Sequence, residues 1–311
     1  MASALNSNPQ SGTITTQRIL SSRPVTGLGM FVAKCVPPLV GHAIALTIAG
    51  LINWLKPSVY WIVYDNLRRV VGTPVDERTL HRMVRQVFRN TARDNYDLWH
   101  MVGQGQEALD AAVHVPPEVW DSIGQARRHG RGAIVVGVHT GNFDVALLAL
   151  ATRRWDTQVL GIAMPPGGGF DLMDHMRTRK GLHLTSIGVP ALREAIERLR
   201  AGGIILTGID RPVNDEDYWV EFFGRAAPLP TGHVRLALKT DAVVLVASAH
   251  RDMRGVNVVR ISPPLEMIRT GDPDEDLRVN MRRVTAWLEK FIRVRPEQWG
   301  MFVPVWPEPR D

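Results

Sequence analysis

Apolar and polar positions along this chain alternate between two regimes, and the change falls near residue 110. Before it the pattern is helical. Val36 to Leu55 holds no charged residue and is bracketed by Lys34 and Lys56. Its length suits a membrane span, an interfacial helix or a buried core helix. His42, Thr47, Asn53, two prolines and two glycines dilute its hydrophobicity. Trp54, Tyr60, Trp61 and Tyr64 cluster at its end, as interfacial anchors do and as ordinary cores also do. From Asp76 to Val102 a long amphipathic helix is predicted, with Leu80, Met83, Val84, Val87 and Phe88 on one side. Arg78, Arg82, Arg85, Arg89 and Arg93 recur at spacings of three and four and line another face. Such a row holds phosphates, or is simply a solvated surface.

From Val115 onward short β-branched runs alternate with helical segments. Strands are expected at Ala133 to Val138, Thr157 to Ile162, His183 to Ile187, Ile204 to Ile209, Ala242 to Ala249 and Val256 to Ile261. Helices are expected after Phe143 and near Asp171 to Arg179, Pro190 to Arg200, Thr231 to Lys239 and Asp274 to Arg293. A Pro/Gly loop from Pro165 to Gly169 and a polar loop after Ile209 interrupt them. This order predicts an α/β fold with a mostly parallel central sheet flanked by helices. Three regions follow: a tail over 1–23, a helical, membrane-associating region over 24–110, and an α/β domain over 111–311.

Composition narrows the function classes. Cys35 is the single cysteine, which excludes an internal disulfide framework and cysteine-rich zinc sites. The formal charge of +6 favours anionic partners such as lipid surfaces. No nucleic-acid motif accompanies it, so no nucleic acid is expected as a partner. Residues 1–23 lack the apolar core and small-residue cleavage site of a secretory signal.

The candidate chemistry lies where the first strand of the α/β region ends. Val138 is followed by His139-Thr140-Gly141-Asn142-Phe143-Asp144, then by the helix-forming run Val145 to Leu150. Ligands bind at the carboxyl ends of parallel strands. A carboxylate five residues after a histidine, across a strand-to-helix turn, can accept a hydrogen bond from one ring nitrogen. The other nitrogen is then left as a general base. G-x-S-x-G is absent, and no second histidine or cysteine stands at metal-ligand spacing, so neither a hydrolase nucleophile nor a metal is expected. His139 and Asp144 therefore suit deprotonation of a substrate hydroxyl without a covalent enzyme intermediate. A structural histidine is the plain alternative.

Val138-His139-Thr140-Gly141-Asn142-Phe143-Asp144 resembles the H-x4-D/E signature of glycerolipid and lipid A acyltransferases. Arg177-Thr178-Arg179-Lys180-Gly181 resembles the R-x3-G block of that group. Asp210-Arg211 resembles the D-R/D-Q block, and Glu221-Phe222-Phe223-Gly224 the element that follows it. Leu229-Pro230-Thr231-Gly232, Arg295-Pro296-Glu297-Gln298-Trp299 and Asn66-Leu67 resemble further blocks in the same order. Together they span roughly residues 60 to 305 and are similar to the lipid A late (lauroyl/myristoyl) acyltransferase superfamily, which includes phosphatidylinositol mannoside acyltransferases. The Asp in place of Glu, the Gly-Asn pair and the ending Phe302-Val303-Pro304-Val305-Trp306 lean toward the mannoside branch.

The resemblance implies transfer of a fatty acyl group from acyl-CoA or acyl carrier protein to a hydroxyl of a membrane glycolipid or phospholipid. It implies no bound cofactor. His139 would be the base and Asp144 its support. Oxyanion donors would be backbone N–H groups near Gly141 to Phe143, or Arg177. Gly141, Asn142, Arg177, Asp210, Arg211, Phe223 and Gly224 are the implied substrate-binding positions. Asp210 either completes the polar site opposite His139 or pairs with Arg211 as scaffolding. Phe222, Phe223 and Gly224 would pack the loop that walls an acyl channel and not touch the reacting atoms. The expected location is the cytoplasmic face of a bacterial inner membrane, held peripherally or by one N-terminal anchor on an anionic surface. The F-P-E-G-x-R phosphate block of lysophosphatidic acyltransferases is absent, which disfavours that substrate class. A non-catalytic membrane-binding protein with a degenerate acyltransferase fold is the alternative of a different kind.

Overall fold

The computed structural model describes residues 36–72, 74–104, 106–150, 153, 155–161, 182–213 and 218–307. The expected tail, the Pro165 to Gly169 loop, the Asp171 to Arg179 helix and Arg177 lie outside the described residues.

Three helices open the described chain: α1 (Pro38–Leu55), α2 (Ser58–Val71) and α3 (Glu77–Gln104). Two shorter ones follow, α4 (Gln106–Ala112) and α5 (Pro117–Ala126). Strands β1 (Val113–His114), β2 (Ala133–Gly137), β3 (Thr157–Gly161), β4 (Leu182–Ser186), β5 (Ile204–Gly208), β8 (Val243–Arg251) and β9 (Asn257–Ile261) form one sheet in the order β1-β9-β8-β2-β5-β3-β4. All neighbours are parallel except β8 and β9. Helix α6 (Phe143–Leu150) follows β2 and α7 (Val189–Arg200) precedes β5. Helices α8 (Gly232–Thr240) and α9 (Pro273–Val294) flank β8 and β9 in the chain.

The apolar runs of the central strands are buried because both faces of the sheet are covered. Side chains alternate between the two faces with a period of two. Ile134, Val136 and Ile205 join the layer formed with α7, α8 and α9. Ala133, Val135, Ile204 and Leu206 join the layer formed with α5, α6 and the end of α3. Each fully buried Ile, Leu or Val contributes about 1.5–3 kcal/mol, so these layers are the main source of stability.

The segment read as a polar loop after Ile209 contains a β-hairpin, β6 (Tyr218–Phe222) with β7 (Arg225–Leu229). Phe223 and Gly224 form its two-residue turn, both at positive φ (52° and 71°). That is the backbone of a type I′ turn, whose twist matches the paired strands. Positive φ is costly for phenylalanine. Tertiary contacts hold it: the Phe223 N–H donates to Glu289 Oε1 at 2.6 Å, and the Arg293 guanidinium lies 4.6 Å over its ring.

The N-terminal helices form a third apolar cluster in which Ala49 packs with Tyr60, Val63, Leu67, Leu80 and Val84. Helix α1 meets α3 through small residues: a Cβ on Gly41 would come within 2.0 Å of the Tyr96 ring, so only glycine fits there. The C-terminal strap is tied to α2. Asn66, fully buried, donates to the carbonyls of Met301 (3.3 Å) and Val303 (2.8 Å), and its Oδ1 accepts from the Val305 N–H (3.2 Å).

Candidate active site

Strand pairing alone brings the central residues together. In the parallel pair β2–β5, Gly137 stands opposite Gly208. His139 and Asp210 each lie two residues beyond that pair and so emerge side by side at the carboxyl ends of neighbouring strands. The imidazole Nδ1 lies 2.5 Å from Asp210 Oδ1, and the backbone N–H of His139 donates to Oδ2 at 3.0 Å. Trp299 Nε1 also donates to Oδ2, at 2.9 Å. Asp210 is fully buried and Trp299 nearly so, whereas the His139 side chain keeps 24% of its surface exposed.

Burial alone would push the Asp210 carboxyl up. The charge of His139 and the hydrogen bonds from His139 and Trp299 outweigh it, so its pKa lies below the ordinary carboxylate value. An anionic Asp210 against Nδ1 assigns the ring proton to that nitrogen and leaves Nε2 as the lone-pair end. The reading from spacing gave this place beside the imidazole to Asp144; the carboxylate on Nδ1 is that of Asp210. Of the two roles open for Asp210, the one opposite His139 is the one its geometry has. Asp144 stands in the first turn of α6, partly exposed, beside Phe143, whose ring meets the His139 ring edge-on at 4.8 Å.

The space for the imidazole depends on one missing side chain. A Cβ on Gly208 would lie 2.7 Å from His139 Cε1. The turn after His139 depends on another glycine. Gly141 has φ of +54°, and a Cβ there would come within 2.7 Å of the Ala249 carbonyl oxygen.

Asn142 then starts α6. Its Oδ1 accepts from the Val145 N–H (3.3 Å), as an N-cap does, and its Nδ2 donates to the Asp94 carbonyl of α3 (2.9 Å). The Gly141 N–H donates to the Gln298 carbonyl (2.9 Å) and the Asn142 N–H to Asn257 Oδ1 (3.3 Å). Two of the three backbone donors expected to face an oxyanion are thus engaged within the protein, and the helix start at Phe143 is what remains of that set.

The Arg-Pro-Glu-Gln-Trp element clamps this turn. Gln298 Oε1 accepts from the Arg251 N–H (2.8 Å) and its Nε2 donates to the Arg251 carbonyl (2.9 Å), while Gly300 N–H donates to the His139 carbonyl (2.9 Å). Arg251 in turn pairs with Asp94 and, at 2.7 Å, with Asp97 Oδ2; Asp97 Oδ1 lies 2.5 Å from His42 Nε2 of α1. Burial pushes the Asp94 carboxyl up, with Arg251 acting against it. This ion cluster connects α1 to the loop that carries His139.

His139, Gly141, Asn142 and Asp210 therefore share one site, with Arg211 next in the chain and partly buried. Phe223 is buried at the hairpin turn, where its contacts are Phe222, Trp306, Glu289 and Arg293. Trp299 and Gly208 are site residues that spacing did not single out. Trp299 stood in the Pro-Glu-Gln-Trp block, and Gly208 carried no signal beyond ending a strand.

A family model for bacterial lipid A biosynthesis acyltransferases matches residues 24–308. Phosphatidylinositol mannoside acyltransferase of Mycobacterium tuberculosis (strain CDC 1551 / Oshkosh) is 23% identical over 257 residues, covering 78% of this chain and 75% of that protein. The protein of the same name from Mycolicibacterium smegmatis (strain ATCC 700084 / mc(2)155) is 25% identical over 254 residues, covering 78% and 77%.

Proposed function

The chain belongs to the bacterial lipid A biosynthesis acyltransferase family and is a lipid acyltransferase, and we propose that it moves a fatty acyl group from a thioester donor to a glycolipid or phospholipid hydroxyl with His139 as general base. The observation that carries this is the Asp210 carboxylate on Nδ1 of a histidine whose other nitrogen is free to face substrate. His139 Nε2 takes the proton of the acceptor hydroxyl as its oxygen forms a bond to the thioester carbonyl carbon. The carbonyl oxygen becomes an oxyanion, supported by the N–H at the start of α6 and by Arg177. Collapse breaks the C–S bond, and the imidazolium returns its proton to the departing thiolate. No bound cofactor is needed.

Asp210 holds the imidazole in the required tautomer and stabilises its positive charge. Asp144, in the first turn of α6 next to Phe143, is suited to support the imidazolium as a second carboxylate. Gly141 and Asn142 shape the turn, and Arg211 and Arg177 are suited to phosphate on donor or acceptor. Phe223 and Gly224 hold the hairpin that borders the site. The donor is acyl-CoA or acyl carrier protein, and a mannose-bearing phosphoinositide is the acceptor that the relatives' names favour. The work is placed at the cytoplasmic face of the bacterial inner membrane, where such thioesters are available.

The test is transfer of radiolabelled acyl groups from each donor to total membrane lipids, with products identified by mass. Wild type should yield one labelled lipid class, and His139→Ala should lose it while keeping its fold and vesicle binding. Undiminished transfer by His139→Ala would reject the base. No product from folded wild type with either donor would reject the proposed donors.

A further inference from the structure

The imidazole of His139 is held at two adjacent ring atoms. Asp210 Oδ1 meets Nδ1 at 2.5 Å, and Gly208 stands so close to Cε1 that a Cβ there would come within 2.7 Å. A hydrogen bond at one atom is also a pivot. Turning about it swings Nε2, the nitrogen that faces substrate, away from a hydroxyl bound at the site. A base must lie within hydrogen-bond reach of the proton it takes, so the turn has to be stopped.

Phe143 is placed to stop it. Its ring centroid lies 4.8 Å from that of the imidazole at an interplanar angle of 75°, and no other aromatic ring meets His139 among the described residues. Edge-on contact is a preferred arrangement for two such rings. The backbone beneath Phe143 is firmly anchored. Gly141, at positive φ, makes the turn after His139. The Asn142 side chain then accepts from the Val145 N–H and donates to the Asp94 carbonyl, tying the start of α6 to α3. Phe143 is the first residue of the helix begun there.

Burial shows that this ring is not spent on the core. Val145, Ala146, Leu148 and Ala149 of the same helix are buried, whereas Phe143 keeps 37% of its surface exposed. An apolar ring left in the open contributes less to stability than a buried one. What it touches is the imidazole.

We propose that Phe143 is a positioning residue, its ring closing the slot whose other walls are Asp210 and Gly208 and so keeping Nε2 aimed at the acceptor hydroxyl. This deepens the proposed function and rests on His139 being the base. The role belongs to the bulk of the side chain. The Phe143 N–H, suited to the oxyanion, is retained by every substitution at this position.

The experiment compares the full chain with Phe143→Ala and Phe143→Leu. Steady-state transfer is measured with acyl-CoA or acyl carrier protein, whichever supports it, as the varied donor and total membrane lipids as acceptor. Phe143→Ala should lower kcat about a hundredfold with the donor KM little changed, the cost of a base misplaced by about 1 Å. Phe143→Leu, which restores bulk, should recover most of that loss. Nitrogen-15 spectra of imidazole-labelled protein read the ring directly, with His139 assigned by its absence in His139→Gln. The proton should sit on Nδ1 in all three proteins, and the His139 signals should broaden in Phe143→Ala as the ring samples other orientations. Three results would overturn the positioning role: an unchanged kcat in Phe143→Ala, a loss confined to KM, or a leucine variant as slow as the alanine one. Sharp, unshifted His139 signals in a slowed Phe143→Ala would do the same. A wild-type ring protonated at Nε2 is the separate outcome that strikes the base itself, and this proposal with it.

Discussion

The buried carboxylate of Asp210 meets three donors, and only one of them is the ring it positions. Asp210→Asn keeps the volume but offers an amide where an acceptor is needed at both Nδ1 and Trp299 Nε1. The imidazole then loses its tautomer preference and the support of its cation. Transfer should fall about 10³–10⁴-fold, the scale known for the equivalent change in a serine-protease triad. Asp144→Asn should also lose most activity, and a direct comparison of the two rates ranks the two carboxylates. Gly208→Ala tests position without touching charge. Its new Cβ, 2.7 Å from Cε1, must displace the ring. A displacement near 1 Å costs about a hundredfold in rate, so kcat should drop with KM little changed. Steady-state kinetics on purified variants check both. His139 and Asp144 were named together because they stand five residues apart across a strand-to-helix turn. Asp210 opposite His139 was one of two roles left open: the choice depends on β5 inserting beside β2, a neighbour relation that spacing along one strand does not carry.

Among the elements, the C-terminal strap and the hairpin do the most to fix the site without joining its chemistry. Asn66 satisfies two carbonyls and one N–H of the strap from inside the core. Asn66→Ala leaves them unpaired, and each buried unpaired group costs about 1–3 kcal/mol. The chain should lose about 2–4 kcal/mol of stability, measured by urea unfolding, with its activity following the folded fraction. The long amphipathic helices and the buried strands were readable, since each repeats a clear period over enough residues. The hairpin was read as a polar loop because Phe222-Phe223-Gly224 puts a bulky residue where a type I′ turn usually takes Asn, Asp or Gly. Glu289 and Arg293, distant in sequence, are what stabilise that choice. The Asn66-Leu67 and Pro-Glu-Gln-Trp blocks were visible as patterns, but their work as ties across the fold was not.

At the scale of the whole molecule, two buried histidines set how stability responds to mild acid. His233 on α8 is buried, and the loss of hydration holds its pKa down to about 3. Burial, with Arg260 adding to it, holds His250 on β8 down to about 4, although its Nε2 meets the Phe291 carbonyl at 3.0 Å. Both stay neutral in the folded chain from pH 6.5 down toward those values, whereas the unfolded chain protonates them near 6.5. Between pH 6.5 and 4 the unfolded state therefore binds more protons, and folding stability falls as pH falls. Each histidine steepens that fall by up to about 1.4 kcal/mol per pH unit. Asp210 acts elsewhere: its depressed pKa contributes stability that is present above 3.8 and lost only as pH drops below that value. Asp94, pushed up by burial, acts with the opposite sign, so a variant at one histidine is what separates that histidine's share. Urea unfolding of wild type and His233→Met at pH 7 and pH 5 should give a smaller pH difference for the variant, by about 1–2 kcal/mol. An unchanged difference would mean that His233 is protonated alike in both states and that its burial carries no acid sensitivity.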